Sequence, residues 1–265
     1  MTPDLATHTE GPVRWLVLDR PDVGNSVTRA MQRSLIEELT RASDDPEIRA
    51  VVLTGRGDKH FCTGPNLRDP GMQPKKDRVA GDAARILRTG SQAVVSALLD
   101  CEKPVLCALN GVAAGVGASM VLACDLIVAA ESARLIELFV RRGLAPDGGA
   151  AYLLARKVPF NLAKQVLFFG EELSAPEAHR IGLFNKVVPD VDLNDAATVW
   201  ARRLAEGPTR ALVAAKAMLN QALDVDRDAA FRTEALLVEQ VAGTDDVAEG
   251  MAAFGERRDP QFRGR

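Results

Sequence analysis

Two glycine-bearing turns in this 265-residue chain hold residues whose types and spacing suit chemistry. The first is Phe61-Cys62-Thr63-Gly64-Pro65-Asn66-Leu67; the second runs from Asn110 through Gly115-Val116-Gly117 to Ser119. Each follows an apolar run that reads as a buried strand, and the second leads into an apolar helix. A glycine turn feeding a helix N-terminus exposes backbone N–H groups that hold an anion. That anion is not a dinucleotide pyrophosphate, because Met120 stands where G-x-G-x-x-G needs its last glycine. No G-K-[ST] follows, which excludes a P-loop. Ser119 is not in a G-x-S-x-G elbow, since Val121 takes the final position.

The remaining reactive side chains are sparse. Cysteines stand at 62, 101, 107 and 124 without a C-x-x-C pair, and His8, His60 and His179 form no i, i+4 pair. We expect no disulfide frame, no bound metal and a reducing, cytoplasmic setting. His60 and Cys62 are close in sequence, yet a Cys–His nucleophile needs converging side chains, and Cys62 reads more simply as a small core residue. Thirty-three basic residues against thirty-six acidic ones give a net charge of -3, so no nucleic-acid surface is advertised. The opening MTPDLATHTEGP lacks a basic patch followed by an apolar run, so no signal peptide is expected. Asn110 and Asp125 interrupt the apolar stretch from Val105 to Ala130, leaving too short a run for the roughly 20 residues of a membrane helix. No membrane partner is expected.

Hydrophobic periodicity supplies the elements that must position these turns. Val13 to Asp19 and Ala50 to Thr54 read as strands, as do Pro104 to Leu109, Asp125 to Ala129 and Lys186 to Val188. Thr28 is placed to cap a helix with Met31, Leu35, Leu39 and Ala42 on one face. A polar segment from Asn66 to Asp77 leads to one long helix carrying Val79, Ala83, Ile86, Val94 and Leu98. Ser174-Ala-Pro-Glu177 fits a capping box, with Gly182 placed to end that helix. Beyond residue 190 the pattern is helical: Asp195 to Glu206, Pro208 to Leu223, Asp226 to Val241, and one more from about Thr244. The end, ERRDPQFRGR, reads as a partly ordered tail. The division is an α/β core over 1–190 and a helical region over 191–265, and periodicity alone suggests an ordinary parallel sheet in the core.

Several motifs together resemble the enoyl-CoA hydratase/isomerase (crotonase) superfamily. They are DRPDVGNSV, AVVLTGRGDKHFCTGPNL, KPVLCALNGVAAGVGASMVLACDLIVAAESARL, GLAPDGGAAYLLAR and GEELSAPEAHRIGLFNKVVPD, in that order. The resemblance implies a crotonase-like α/β spiral of ββα turns, which replaces the ordinary sheet, and a helical C-terminal region for oligomerisation as a homotrimer or dimer of trimers. It implies an acyl-CoA thioester as substrate, with no cofactor beyond the coenzyme A that the substrate carries.

The implied chemistry is stabilisation of a thioester enolate by two backbone N–H groups, one from each glycine turn. The matching positions are Pro65 and Val116, within the segments Gly64-Pro65-Asn66 and Gly115-Val116-Gly117. Proline has no N–H, so either half the hole is missing or another donor, such as Asn66 N–H or a side chain, replaces it. The two glutamates of the family's hydratases are matched by Ser119 and Phe139, neither of which shuttles a proton. One acid remains in a matching position, Asp147, where some isomerases of the superfamily place a lone carboxylate. Asp147 before Gly-Gly-Ala-Ala-Tyr equally suits a helix N-cap, which would depress its pKa. Glu137 shares a face with Phe139 if the segment is extended, although a solvated or ion-paired glutamate is the more ordinary reading. For the ligand, the resemblance implies carbonyls of Cys62 and Thr63 at the adenine, Arg20, Arg257 or Arg258 at the phosphates, and Leu67 with its loop beside the acyl group. Double-bond isomerisation through Asp147 is the expected reaction; hydration with non-standard residues and acyl-CoA binding without turnover are the alternatives.

Overall fold

A computed structural model of the chain describes residues 4–65 and 79–265. β1 (Leu5–Glu10) and β2 (Val13–Leu18) pair antiparallel, and parallel to β2 run β3 (Ala50–Gly55), β5 (Val105–Leu109), β7 (Leu126–Ala130) and β10 (Lys186–Val188). A second sheet takes β4 (His60–Cys62), β6 (Val112–Ala114), β8 (Arg134–Ile136) and β9 (Glu172–Ser174), the last antiparallel. Successive pairs β3–β4, β5–β6 and β7–β8 each give one strand to each sheet before the chain enters helix. That is the spiral of ββα turns, and it replaces the single ordinary sheet that periodicity suggested. The long strands β3 and β5 are wholly buried, as expected for parallel strands covered on both faces.

Helix boundaries follow local chemistry. Thr28 Oγ1 accepts the Met31 N–H at 3.0 Å to open α1 (Arg29–Asp44), which buries Met31, Leu35, Leu39 and Ala42. The expected long helix is two, α2 (Asp82–Thr89) and α3 (Ser91–Asp100), because Gly90 turns the chain at ψ -104° between them. α4 (Val116–Ala123) is buried on every side, and β5, β6, α4 and β7 account for the apolar stretch that resembled a membrane span. No helix among the described residues is long and apolar enough to cross a membrane. α5 (Ala150–Lys157) and α6 (Phe160–Phe169) precede α7 (Ala175–Arg180), where Ser174 and Glu177 form the capping box.

The helical C-terminal region begins with α8 (Leu193–Glu206), which lays Leu193, Ala197, Ala201 and Ala205 on the core, so packing is continuous across residue 190. α9 (Thr209–Gln221), α10 (Arg227–Ala242) and α11 (Asp245–Glu256) follow; Asp226 and Thr244 cap the last two. Lys216 on α9 reaches back to Asp125 at 2.8 Å and to the carbonyls of Leu98 and Lys103. The final residues are held rather than loose: Asp246 accepts the N–H groups of Arg263 and Gly264, and Arg49 donates to Phe262 O.

Candidate active site

Strand pairing brings the second glycine turn to the edge of β8. Ala114 lies opposite Ile136, and the Gly115 N–H donates to Ile136 O at 2.9 Å. Gly115 then turns at φ 55°, ψ -121°, a conformation open to glycine and costly for other residues. Val116 is the first residue of α4, so its N–H has no carbonyl one turn back to bond. The peptide dipoles of α4 point their positive end at the same place. Gly117 lets α4 sit on the first turn: a Cβ there would lie 2.2 Å from Cys62 O.

The first turn offers much less. Thr63 N–H donates to Gly24 O at 3.0 Å. Gly64 N–H is directed at the Cys62 sulfur, and Pro65 has no hydrogen to give. Gly64 O is also occupied, by the Val27 N–H. Among the described residues of this turn, the amides of 63 and 64 are directed at groups of the protein itself and residue 65 has none. Asn66, Leu67 and the Asn66–Asp77 segment lie outside the described residues. Cys62 is fully buried and its thiol is pushed up to about 12, which removes the thiolate that a Cys–His pair would need.

Asp147 is not a helix cap. α5 opens at Gly149 without a side-chain cap, and only the backbone carbonyl of Asp147 serves it, accepting the Ala150 N–H. Its side chain is left for other work. Gly148, packed against Ser119 and Val116, sets Asp147 beside the start of α4; a Cβ on Gly148 would stand 3.2 Å from Ser119 Oγ and 3.6 Å from the Val116 side chain. Ser119 is itself buried, its Oγ 3.5 Å from Asp147 O. Asp147 Oδ1 is buried with no hydrogen-bond partner among the described residues. Burial raises the Asp147 pKa, the opposite of the depression a cap would give.

Glu137 reverses the ordinary expectation of a solvated or paired glutamate. It follows directly on β8, is fully buried, and neither carboxyl oxygen has a partner among the described residues. Burial first, and the negative charge of Asp147 second, hold its carboxyl well above the usual range. Its neighbours in alternation, Leu135 and Phe139, are buried too, and a Cβ on Gly115 would lie 3.6 Å from the Phe139 ring. The spacing of 135, 137 and 139 was the sequence signal for this burial.

Two of the three basic residues assigned to phosphates, Arg20 and Arg258, already have partners within the protein. Arg20 donates to Ser26 O and Oγ and lies 3.5 Å from Asp4; Arg258 pairs with Glu249 and Glu256. Arg257 ends α11 in the left-handed region at φ 55°. The Cys62 carbonyl abuts Gly117 rather than standing open, while Thr63 is half-buried with its hydroxyl on Gly24 O. No group of three metal-ligating side chains occurs among the described residues. A cleft of about 890 Å³ between Tyr152, Lys216 and Asp224 is not lined by Val116, Glu137 or Asp147. Within it Lys216 pairs with Asp125 and Arg156 with Asp224. The carboxyls of Glu137 and Asp147, with oxygens unpartnered among the described residues, lie instead on the segments packed around the start of α4.

Known proteins share this fold over nearly the whole chain. A family model described as enoyl-CoA hydratase/isomerase matches residues 8–265. A Rhodobacter capsulatus protein described as a probable enoyl-CoA hydratase is 38% identical over 94% of each chain. The 1,2-epoxyphenylacetyl-CoA isomerase of Escherichia coli is 36% identical over 98% of each. Among solved structures, an enoyl-CoA hydratase from Polaromonas sp. JS666 superposes with a TM-score of 0.90 at 33% identity, covering 97% of this chain and 99% of that one.

Proposed function

The chain belongs to the enoyl-CoA hydratase/isomerase family, and from that premise we propose that it moves a double bond in an acyl-CoA thioester, with Asp147 as the proton shuttle. The observation that carries the reading is the state of Asp147: uncapped, partly buried, with one carboxyl oxygen unpartnered among the described residues, beside the helix that starts at Val116.

Removing a proton next to a thioester leaves negative charge on the thioester oxygen. The Val116 N–H and the positive end of α4 meet that charge, and one such donor is worth about 2.7–4 kcal/mol in the transition state. Asp147 takes the proton from C2 or C4 of the acyl chain and returns it at the other end of the dienolate, so no atom is gained or lost. A base whose pKa is raised from 3.8 holds that proton longer than an exposed aspartate would. Ser119 and Phe139 cannot take a proton at neutral pH, which argues against the usual paired-glutamate hydration. The 1,2-epoxyphenylacetyl-CoA isomerase among the relatives supports an isomerisation on a CoA thioester. Exposed Leu219, Leu223 and Phe231 on and around the C-terminal helices support self-association as a trimer or dimer of trimers.

The test is a panel of 2- and 3-enoyl-CoA thioesters with the parent and Asp147→Asn. The expected result is isomerisation by the parent, lost in Asp147→Asn while acyl-CoA affinity is kept. Unchanged turnover in Asp147→Asn refutes the shuttle. Loss of the conjugated-thioester absorbance with uptake of solvent oxygen moves the assignment to hydration, and no turnover by the parent leaves a binding protein.

A further inference from the structure

Of the five buried, unpartnered side-chain atoms among the described residues, three belong to one pair of acids: Oε1 and Oε2 of Glu137 and Oδ1 of Asp147. A buried polar atom without a partner costs free energy, and native proteins keep few of them away from functional sites. Glu137 contributes two of the three and is fully enclosed, whereas Asp147 is partly open. The isomerisation described above, on which this inference rests, uses Asp147 alone and leaves Glu137 without a task.

We propose that Glu137 is a positioning residue for the reaction, a neutral buried carboxyl that leaves Asp147 the single negative charge of the wall beside the thioester oxygen. Three observations support it. The first is location: Glu137 is one residue past Ile136, whose carbonyl fixes the Gly115 amide, so it stands where the Val116 turn meets β8. The second is enclosure with no hydrogen-bonding partner among the described residues to stabilise a charge. A buried carboxylate with no donor and no cation costs far more than a buried acid.

The third is the electrostatic neighbourhood. Among the described residues, the charge that bears on Glu137 is that of Asp147, and it opposes ionisation. On the turn that follows, Arg141 and Arg142 are exposed. On the packed helix α6, Lys164 lies over the Phe160 ring, 4.6 Å from its centre. α4 brings only Ser119 and apolar residues. Two carboxyls so placed do not ionise together; the more open one loses its proton first, and the enclosed one keeps it.

Glu137 therefore acts through Asp147. While it is neutral, the developing enolate faces one carboxylate, which is discharged as it takes the substrate proton. Once Glu137 ionises, a fixed negative charge stands beside that enolate and turnover falls. The kcat/KM profile of the parent should then be bell-shaped, with Asp147 setting the acid limb and Glu137 the alkaline limb.

The experiment compares the pH profile of kcat/KM in the parent and in Glu137→Gln, which keeps shape and neutrality but cannot ionise. The expected result is loss of the alkaline limb in Glu137→Gln, with the acid limb unmoved. An alkaline limb that persists in Glu137→Gln overturns the proposal, as does a parent profile without one. Infrared difference spectra give a second readout that needs no turnover. The C=O stretch of a protonated carboxyl should be present at neutral pH in the parent and in Asp147→Asn, and absent in Glu137→Gln. A parent spectrum without that band also overturns it. Failure of the isomerase reading is read separately, from turnover in Asp147→Asn.

Discussion

Gly117→Ala is the sharpest perturbation the packing offers, because it adds one methyl group where α4 rests on β4. An ideal Cβ at 117 would lie 2.2 Å from Cys62 O and 2.9 Å from both the carbonyl carbon and the Cβ of Cys62. Those contacts are to a strand fixed by pairing with β6, so no flexible side chain can move aside. Restoring ordinary contact means opening the α4–β4 interface by about 1 Å, and overpacking of this kind costs about 1–3 kcal/mol. Alanine's better helix propensity offsets up to about 1 kcal/mol of that. A net loss of about 1–2 kcal/mol corresponds to a Tm lower by roughly 2–8 °C in a chain of this size. The functional loss should be larger. The Val116 N–H belongs to the residue before Gly117, and a displacement of about 1 Å in such a donor costs about 10²-fold in rate. The assay pairs thermal melts with kcat and KM on the thioester that the parent turns over, with Gly255→Ala as the control. Gly255 sits near the end of exposed α11 with nothing within 4 Å of its built Cβ, so that variant should be neutral or slightly stabilised. A Gly117→Ala protein that keeps parental Tm and turnover refutes the close approach, and with it the placement of the Val116 amide.

Two further outcomes follow from buried charge. Lys216→Ala leaves Asp125 without its cation on a face only 21% exposed, and should lower stability by about 2–3 kcal/mol in urea titrations, somewhat under the range for fully buried pairs. A carboxyl whose folded pKa is raised costs nothing below its unfolded value and lowers stability as pH climbs from that value toward the folded one. The stability of Glu137→Gln relative to the parent should therefore grow as pH rises above about 4.5, the unperturbed value for Glu137, and a pH-independent difference would count against its burial as an acid.

The sequence was legible where local chemistry decides structure. Thr28 capped α1, the Ser174–Glu177 box opened α7, and Gly207 ended α8, because each acts within four residues. β1 escaped notice because only Leu5 in Leu5–Glu10 is buried, so no alternation marks it. The break between α2 and α3 was hidden because Gly90 is also tolerated inside a helix. The spiral itself is invisible to periodicity, since short strands such as β4 and β6 join a second sheet through contacts far apart in sequence. At the site, Val116 and Asp147 were identified through matching motifs. The capping alternative for Asp147 failed because two residues of left-handed backbone, Gly148 and Gly149, separate it from α5. Glu137 looked like a surface residue, since a burial that only the β8–α4 junction creates leaves no mark on the letters beyond the 135–137–139 alternation. Arg20 looked free because its partners Asp4 and Ser26 flank it from either side along the chain.

The amide of Val116 belongs to the main chain, whereas Ser119, Glu137, Phe139 and Asp147 project from three different segments around it. A scaffold divided in this way separates inheritance into two compartments. A main-chain N–H at 116 survives replacement of its own side chain by any residue except proline. The side chains around it, by contrast, stand on separate segments and can be exchanged one at a time. Proline at 65 occupies the one kind of position where the main chain itself is edited, so mutation there reaches a part of the apparatus that ordinary side-chain substitution cannot touch.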